Sequence, residues 1–136
     1  MREPRFLTVD EVLAIHLDQV ELYGGESGVR NLGLLQSAVA MPQSGFGGVR
    51  LHKDLFEMAA AYLFHVVQNH PFLDGNKRTG TAAALVFLEL NRFDFTANED
   101  DLYAMVIAIA EDRAEKADMA DFFRKHCREY PKRTAK

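Results

Sequence analysis

A chain of 136 residues, 48% hydrophobic and 26% charged, has the make-up of an ordinary globular protein with room for one core. Its formal net charge of -4 argues against direct nucleic-acid binding, which usually rests on a basic field, and its single cysteine, Cys127, excludes an internal disulfide. The opening MREPRFLTVDEV lacks the apolar run of a signal peptide, and no apolar stretch approaches the roughly 20 residues that span a bilayer, so no membrane contact is expected and the cytoplasm is the expected location.

No repeat or low-complexity linker divides the chain, which reads as one domain over 1–136 with 131–136 as a frayed basic tail. Thr8 followed by Glu11 is a capping-box pattern that starts a helix. Val9, Val12, Leu13, Ile15, Leu17 and Val20 give that helix a mostly apolar face up to about Leu22, and the glycines of YGGESG stop it. Asn31 predicts the cap of a second helix that buries Leu32, Leu34, Leu35, Ala38 and Val39 and ends at Pro42. MPQSGFGGVRL predicts a turn-rich loop or a small hairpin around Gly45–Gly48.

A long helix is predicted from about Lys53 to Asn69, where Pro71 biases His70 out of the helical region, and another from about Asn76 to Asn91. Both are apolar almost all round, as helices at the centre of a bundle are. Asn98 and Asp118 predict the caps of two last helices, about 99–112 and 119–129. The hairpin aside, no strand is expected. The fold class is all-α, about six helices with a small hairpin.

The junction NHPFLDGNKRTG, residues 69–80, interrupts this pattern with unusual chemistry. A helix starting near Asn76 points its free N–H groups back into the loop before it. Gly75 lets the backbone there approach a ligand, and the amides with the helix dipole favour an anion, above all a phosphate. Lys77 adds a point charge and Arg78 a two-pronged donor. Asp74 is a hard oxygen ligand of the kind that holds Mg²⁺ together with a substrate's phosphates. His70 is a general-base candidate near neutral pH. Each feature alone is commonly structural; their conjunction is the inventory of phosphoryl or nucleotidyl transfer. Two rivals fail. GNKRTG lacks the Gly-Lys-Ser/Thr triplet of a Walker loop. His65 and His70 are roughly 140° apart around a helix, unlike the zinc pair of an HExxH motif.

The run His70-Pro71-Phe72-Leu73-Asp74-Gly75-Asn76-Lys77-Arg78 resembles the motif H-P-F-x-x-(G/A)-N-(G/K)-R of the Fic/Doc family, and specifically its Doc (death on curing) branch. FLTVDEVLAIH, YGGESGVRNLGLLQSAVAMPQ and ALVFLELN are also similar to that branch, so the likeness covers nearly the whole chain. The resemblance implies a Fic/Doc-type helical bundle in which His70 deprotonates a hydroxyl of a target protein and Phe72 anchors the loop in the core. Asp74 would help hold Mg²⁺, Gly75, Asn76 and Lys77 would form the anion cradle, and Arg78 would bind the phosphates of ATP. Ser44, Gly45, Phe46, Gly47, Gly48, Val49 and Arg50 lie where the family has a flap that aligns the target chain by strand-like pairing.

AMP-transferring Fic enzymes have glycine where this chain has Lys77, and the Doc branch has lysine. There the nucleotide is held inverted and its γ-phosphate moves. The resemblance thus implies a toxin that phosphorylates a threonine of elongation factor Tu and stops translation. It also implies a cognate Phd-like antitoxin whose partly disordered C-terminal segment folds near the active site, since the S/T-x-x-x-E-G/N pattern of self-inhibited relatives is absent. Gly75 and Pro71 depart from the Doc prototype toward Fic. An AMP transferase of protein hydroxyls and an inactive Fic-fold binding module are the alternatives, and intact His70, Asp74, Asn76 and Arg78 speak against the second.

Overall fold

The computed structural model describes residues 3–131; of the expected basic tail, 132–136 lies outside the described residues. The chain forms six α-helices and two small antiparallel sheets among these residues: α1 (Val9–Tyr23), α2 (Leu32–Ala40), a 3-10 turn (Met41–Gln43), β1 (Gly45–Phe46), β2 (Val49–Arg50), α3 (Leu55–Asn69), α4 (Asn76–Leu90), β3 (Phe93–Phe95), α5 (Glu99–Ala110), α6 (Lys116–His126) and β4 (Cys127–Glu129). This is the mostly α-helical architecture expected. No helix of the described residues is long and apolar enough to cross a membrane.

The capping chemistry read from the sequence sets most helix starts. Thr8 Oγ1 accepts from the Glu11 amide at 3.1 Å, and Glu11 Oε1 accepts from the Thr8 amide at 2.9 Å, completing the capping box. The side chains of Asn31 and Asn98 cap α2 and α5, each accepting an amide three residues on. The long central helix starts two residues later than expected, because Asp54 is its cap and accepts from the Glu57 amide at 2.8 Å.

α3 is the hub. It packs against α4, α6 and α2, while α1 packs on α4. Met58, Ala59, Ala60, Ala61, Tyr62 and Leu63 of α3 are all buried, as are Ala83, Ala84, Phe87 and Leu88 of α4. The Tyr62 hydroxyl, inside this core, accepts from the Leu7 amide at 2.8 Å and ties the N-terminal segment to the bundle. Burial pushes its pKa up to about 12.

Five expectations need correction. On α1 the buried pair is Val12 and His16, and Leu17 is 56% exposed. Positions four apart share a helix face, whereas Leu17 lies five from Val12 and has rotated off it. Leu32, in the first turn of α2, is also exposed; burial begins at Leu35. Asp118 does not cap the last helix. It is the third helical residue behind the cap Glu115, whose amide it accepts at 2.8 Å, so α6 starts at Lys116 rather than 119. α6 ends at His126, and Cys127–Glu129 leave the helix to pair with Phe93–Phe95, a second sheet that the sequence did not announce. Phe93 packs edge-on to Phe56 at 5.0 Å, and Phe95 meets Phe122 and Phe123, so this ribbon is held by the core beneath it. α5 ends at Ala110, two residues short of its expected end.

Candidate active site

The loop between α3 and α4 concentrates the predicted residues. His70 is the C-cap of α3, in the left-handed region at φ 48 and ψ 54, and its amide still donates to the Val66 carbonyl. Pro71 excludes the helical conformation at the residue before it, so the chain turns there and drives Phe72 inward. Phe72 is 1% exposed and stacks on the buried His16 ring, centroids 3.9 Å apart at 8°. The loop then returns to the surface through Leu73 and Asp74 and re-enters helix at Asn76.

Asn76 organises this turn. Its Oδ1 accepts from the Phe72 amide at 3.0 Å, and its Nδ2 donates to the Phe72 carbonyl at 3.1 Å. Those two bonds fix which end of the amide is which, so the nitrogen is what lies 3.3 Å from His70 Nδ1. A neutral His70 ring therefore presents its lone pair at Nδ1 toward Asn76 and carries its proton on Nε2. The 3.3 Å contact is long for a hydrogen bond, and a hydroxyl arriving at the ring can replace it. With its side chain engaged by the loop, Asn76 has only its backbone amide free to face an anion.

α4 has Gly75, φ 74, as its N-cap and no side-chain cap on its first amides, unlike α1, α2, α3 and α5. Lys77 and Arg78 stand exposed in that first turn, and neither pairs with a carboxylate among the described residues. The Arg78 guanidinium lies 4.8 Å over the Tyr23 ring, a cation–π contact that parks it beside the helix start. Asp74 is exposed and already accepts from the amides of Gly75 at 2.8 Å and Glu26 at 3.3 Å. Gly25 makes room for it: a Cβ there would lie 2.7 Å from Asp74 Oδ2.

The flap segment is a hairpin. Gly45 pairs with Arg50 and Phe46 with Val49, and Gly47 and Gly48 take φ 60 and 81, the two positive values that a type I′ turn demands. Phe46 is 91% exposed. Arg50 pairs with Glu3 at 2.7 Å and lies over Phe6, which pins the second strand's end to the N-terminal segment.

Three participants escaped the sequence reading. Buried His16 accepts the Gly28 amide at Nε2, so its proton sits on Nδ1, 3.1 Å from Thr79 Oγ1. Burial holds its pKa below the usual value, with nearby Asp74 pulling weakly the other way. Its four-residue spacing from Val12 was the available signal. Tyr23 and Arg30 are the others, and both act across the fold. The segment 28–31 clasps the loop: Leu73 donates to the Gly28 carbonyl, Val29 bridges Phe72, and the amides of Arg30 and Asn31 both donate to the Pro71 carbonyl. A cavity of about 350 Å³ lies elsewhere, between Leu51, His52 and α6, and no residue of the loop lines it.

Residues 6–88, more than half of the chain, match the model of the Fic/DOC family. The chain is 46% identical over 78 residues to the Toxin Doc of Mycolicibacterium smegmatis, a match covering 57% of this chain and 60% of that relative's length. It is 28% identical over 121 residues to the Protein kinase doc of Escherichia phage P1, covering 89% of this chain and 94% of that relative. The match thus spans less than two thirds of the first relative and nearly all of the second.

Proposed function

The chain belongs to the Fic/DOC family, and we propose that it is the toxin of a toxin–antitoxin pair, a Doc-type kinase that moves the γ-phosphate of ATP onto a threonine hydroxyl of elongation factor Tu and so arrests translation. The observation that carries this reading is the meeting of His70, at the end of α3, with the uncapped first turn of α4 that bears Lys77 and Arg78. A base and an anion site face one loop.

His70 would accept the threonine proton at Nδ1 as Asn76 yields its contact. The threonine oxygen then bonds to the γ-phosphorus, and the bond from that phosphorus to the β-bridging oxygen breaks, releasing ADP. The amides of Asn76 and Lys77 with the Arg78 guanidinium would hold the phosphates. Lys77 would fill with a side chain and a charge the space that glycine leaves for a second phosphate in AMP-transferring relatives. Among the described residues no group of three or more metal-binding side chains exists; Mg²⁺ would be held by one carboxylate, Asp74, together with the substrate's phosphates. When bound it would offset phosphate charge. The hairpin with its exposed Phe46 would align the acceptor chain. A Phd-like antitoxin with a disordered C-terminal segment completes the reading, and exposed Tyr23 and Leu73 give it apolar surface beside the loop.

AMP transfer to a protein hydroxyl is the second reading, favoured by Gly75 and Pro71 and opposed by Lys77. The test incubates the protein with Mg²⁺, elongation factor Tu and ATP labelled at the α- or the γ-phosphate. Labelling from γ alone, lost in His70→Ala with the fold intact, is expected. Labelling from α replaces the kinase reading with AMP transfer, and full activity in His70→Ala overturns the mechanism.

A further inference from the structure

We infer that Arg30 is a positioning residue that sets the direction of His70, an inference resting on the reading of His70 as the base. Arg30 Nε donates to the His70 carbonyl at 2.7 Å and its Nη2 to the Asn69 carbonyl at 3.0 Å. Those carbonyls belong to the two peptide planes on either side of the His70 Cα. Fixing both planes fixes φ and ψ, and with them the direction of the Cα–Cβ bond that carries the imidazole. The Arg30 amide holds the next carbonyl, Pro71, at 2.7 Å. One residue therefore pins three consecutive carbonyls, 69 to 71.

The need for such a device is local. His70 sits at φ 48, a conformation that only glycine adopts without cost, and it must stay there for the ring to face Asn76. Arginine suits the task because its planar fork offers two N–H groups at fixed separation, which a lysine ammonium lacks. Arg30 forms no ion pair among the described residues, so the side chain serves these carbonyls alone. Its charge at the C-terminus of α3 also suits the helix dipole. Lysine keeps that contribution, which separates capping from positioning.

The test compares the full chain with Arg30→Lys and Arg30→Gln. One arm measures γ-phosphate transfer to elongation factor Tu; the other records the His70 ring nitrogens by NMR in the absence of any substrate. Arg30→Lys is expected to keep its thermal midpoint and its KM for ATP within about twofold while kcat falls about 10–100-fold, the range a displaced reacting group produces. In both variants the His70 ring signals are expected to shift or split. A wild-type kcat in Arg30→Lys, a change in KM with kcat intact, or unshifted His70 signals overturns the inference. Should the parent protein transfer nothing to the acceptor, the kinase reading fails, and the NMR arm still decides whether Arg30 sets His70.

Discussion

Asn76→Ala probes the loop at its keystone. The substitution removes the acceptor of the Phe72 amide at 3.0 Å and the donor to the Phe72 carbonyl at 3.1 Å, together with the contact to His70. Phe72 is 1% exposed, so both of its backbone groups lose their partner in a place where water is scarce. A buried polar group left unpaired costs about 1–3 kcal/mol, which puts the pair at about 2–6 kcal/mol. Asn76 itself is 8% exposed and close to the surface, so one water can take over one of the two bonds. The expected loss is then about 1–3 kcal/mol, read as a lower urea midpoint at constant m-value by circular dichroism. Asn76→Asp isolates the donor half, because it keeps an acceptor for the Phe72 amide but turns an oxygen toward the Phe72 carbonyl. Its destabilisation should ease as the pH falls and the carboxyl gains a proton to donate. A loss under about 0.5 kcal/mol in Asn76→Ala, the size of an ordinary surface change, refutes the role given to this side chain.

Three further outcomes are expected. Phe72→Ala should cost about 3–5 kcal/mol, as large-to-small core changes do, and a chemical-denaturation loss below about 1.5 kcal/mol would show that the loop is not anchored through it. Gly25→Ala should displace the Asp74 carboxylate, since its Cβ would lie 2.7 Å from Oδ2 at a φ of +108; a crystal structure with Asp74 unmoved contradicts this. Burial depresses the pKa values of His16, His52 and His65, the last to about 4 from an ordinary 6.5, with the Lys116 charge adding to the effect at His52 and His65. The unfolded chain then binds these protons more readily, so the stabilisation is complete above about pH 6.5 and drains as the pH falls toward about 4. His65→Gln should flatten that decline in urea titrations, and an unchanged slope would remove His65 from the linkage.

Local chemistry was legible in the sequence; contacts between distant segments were not. Thr8 with Glu11, Asn31, Asn98 and the glycine pair of the hairpin act on neighbours within a few residues, so their types alone announced the elements. Asp118 misled because aspartate suits both the cap and the third helical position, and the decision fell to Glu115 behind it. The second sheet is three residues a side, too short for alternation to register, and exists because Phe93 and Phe95 find aromatic partners on α3 and α6. Within the site, His70, Phe72, Asp74 and Asn76 stood out as one motif. Arg30 and His16 did not, because an arginine in a glycine-rich loop and a histidine inside an apolar run reveal their partners only once the segment 28–31 lies against the loop.

The most direct measurement is the intact mass of elongation factor Tu after incubation with the protein, ATP and Mg²⁺. The kinase reading predicts a gain of one phosphate, mapped by fragmentation to a threonine and absent with His70→Ala. A gain of AMP, or an acceptor that stays unmodified while the protein binds ATP, contradicts it.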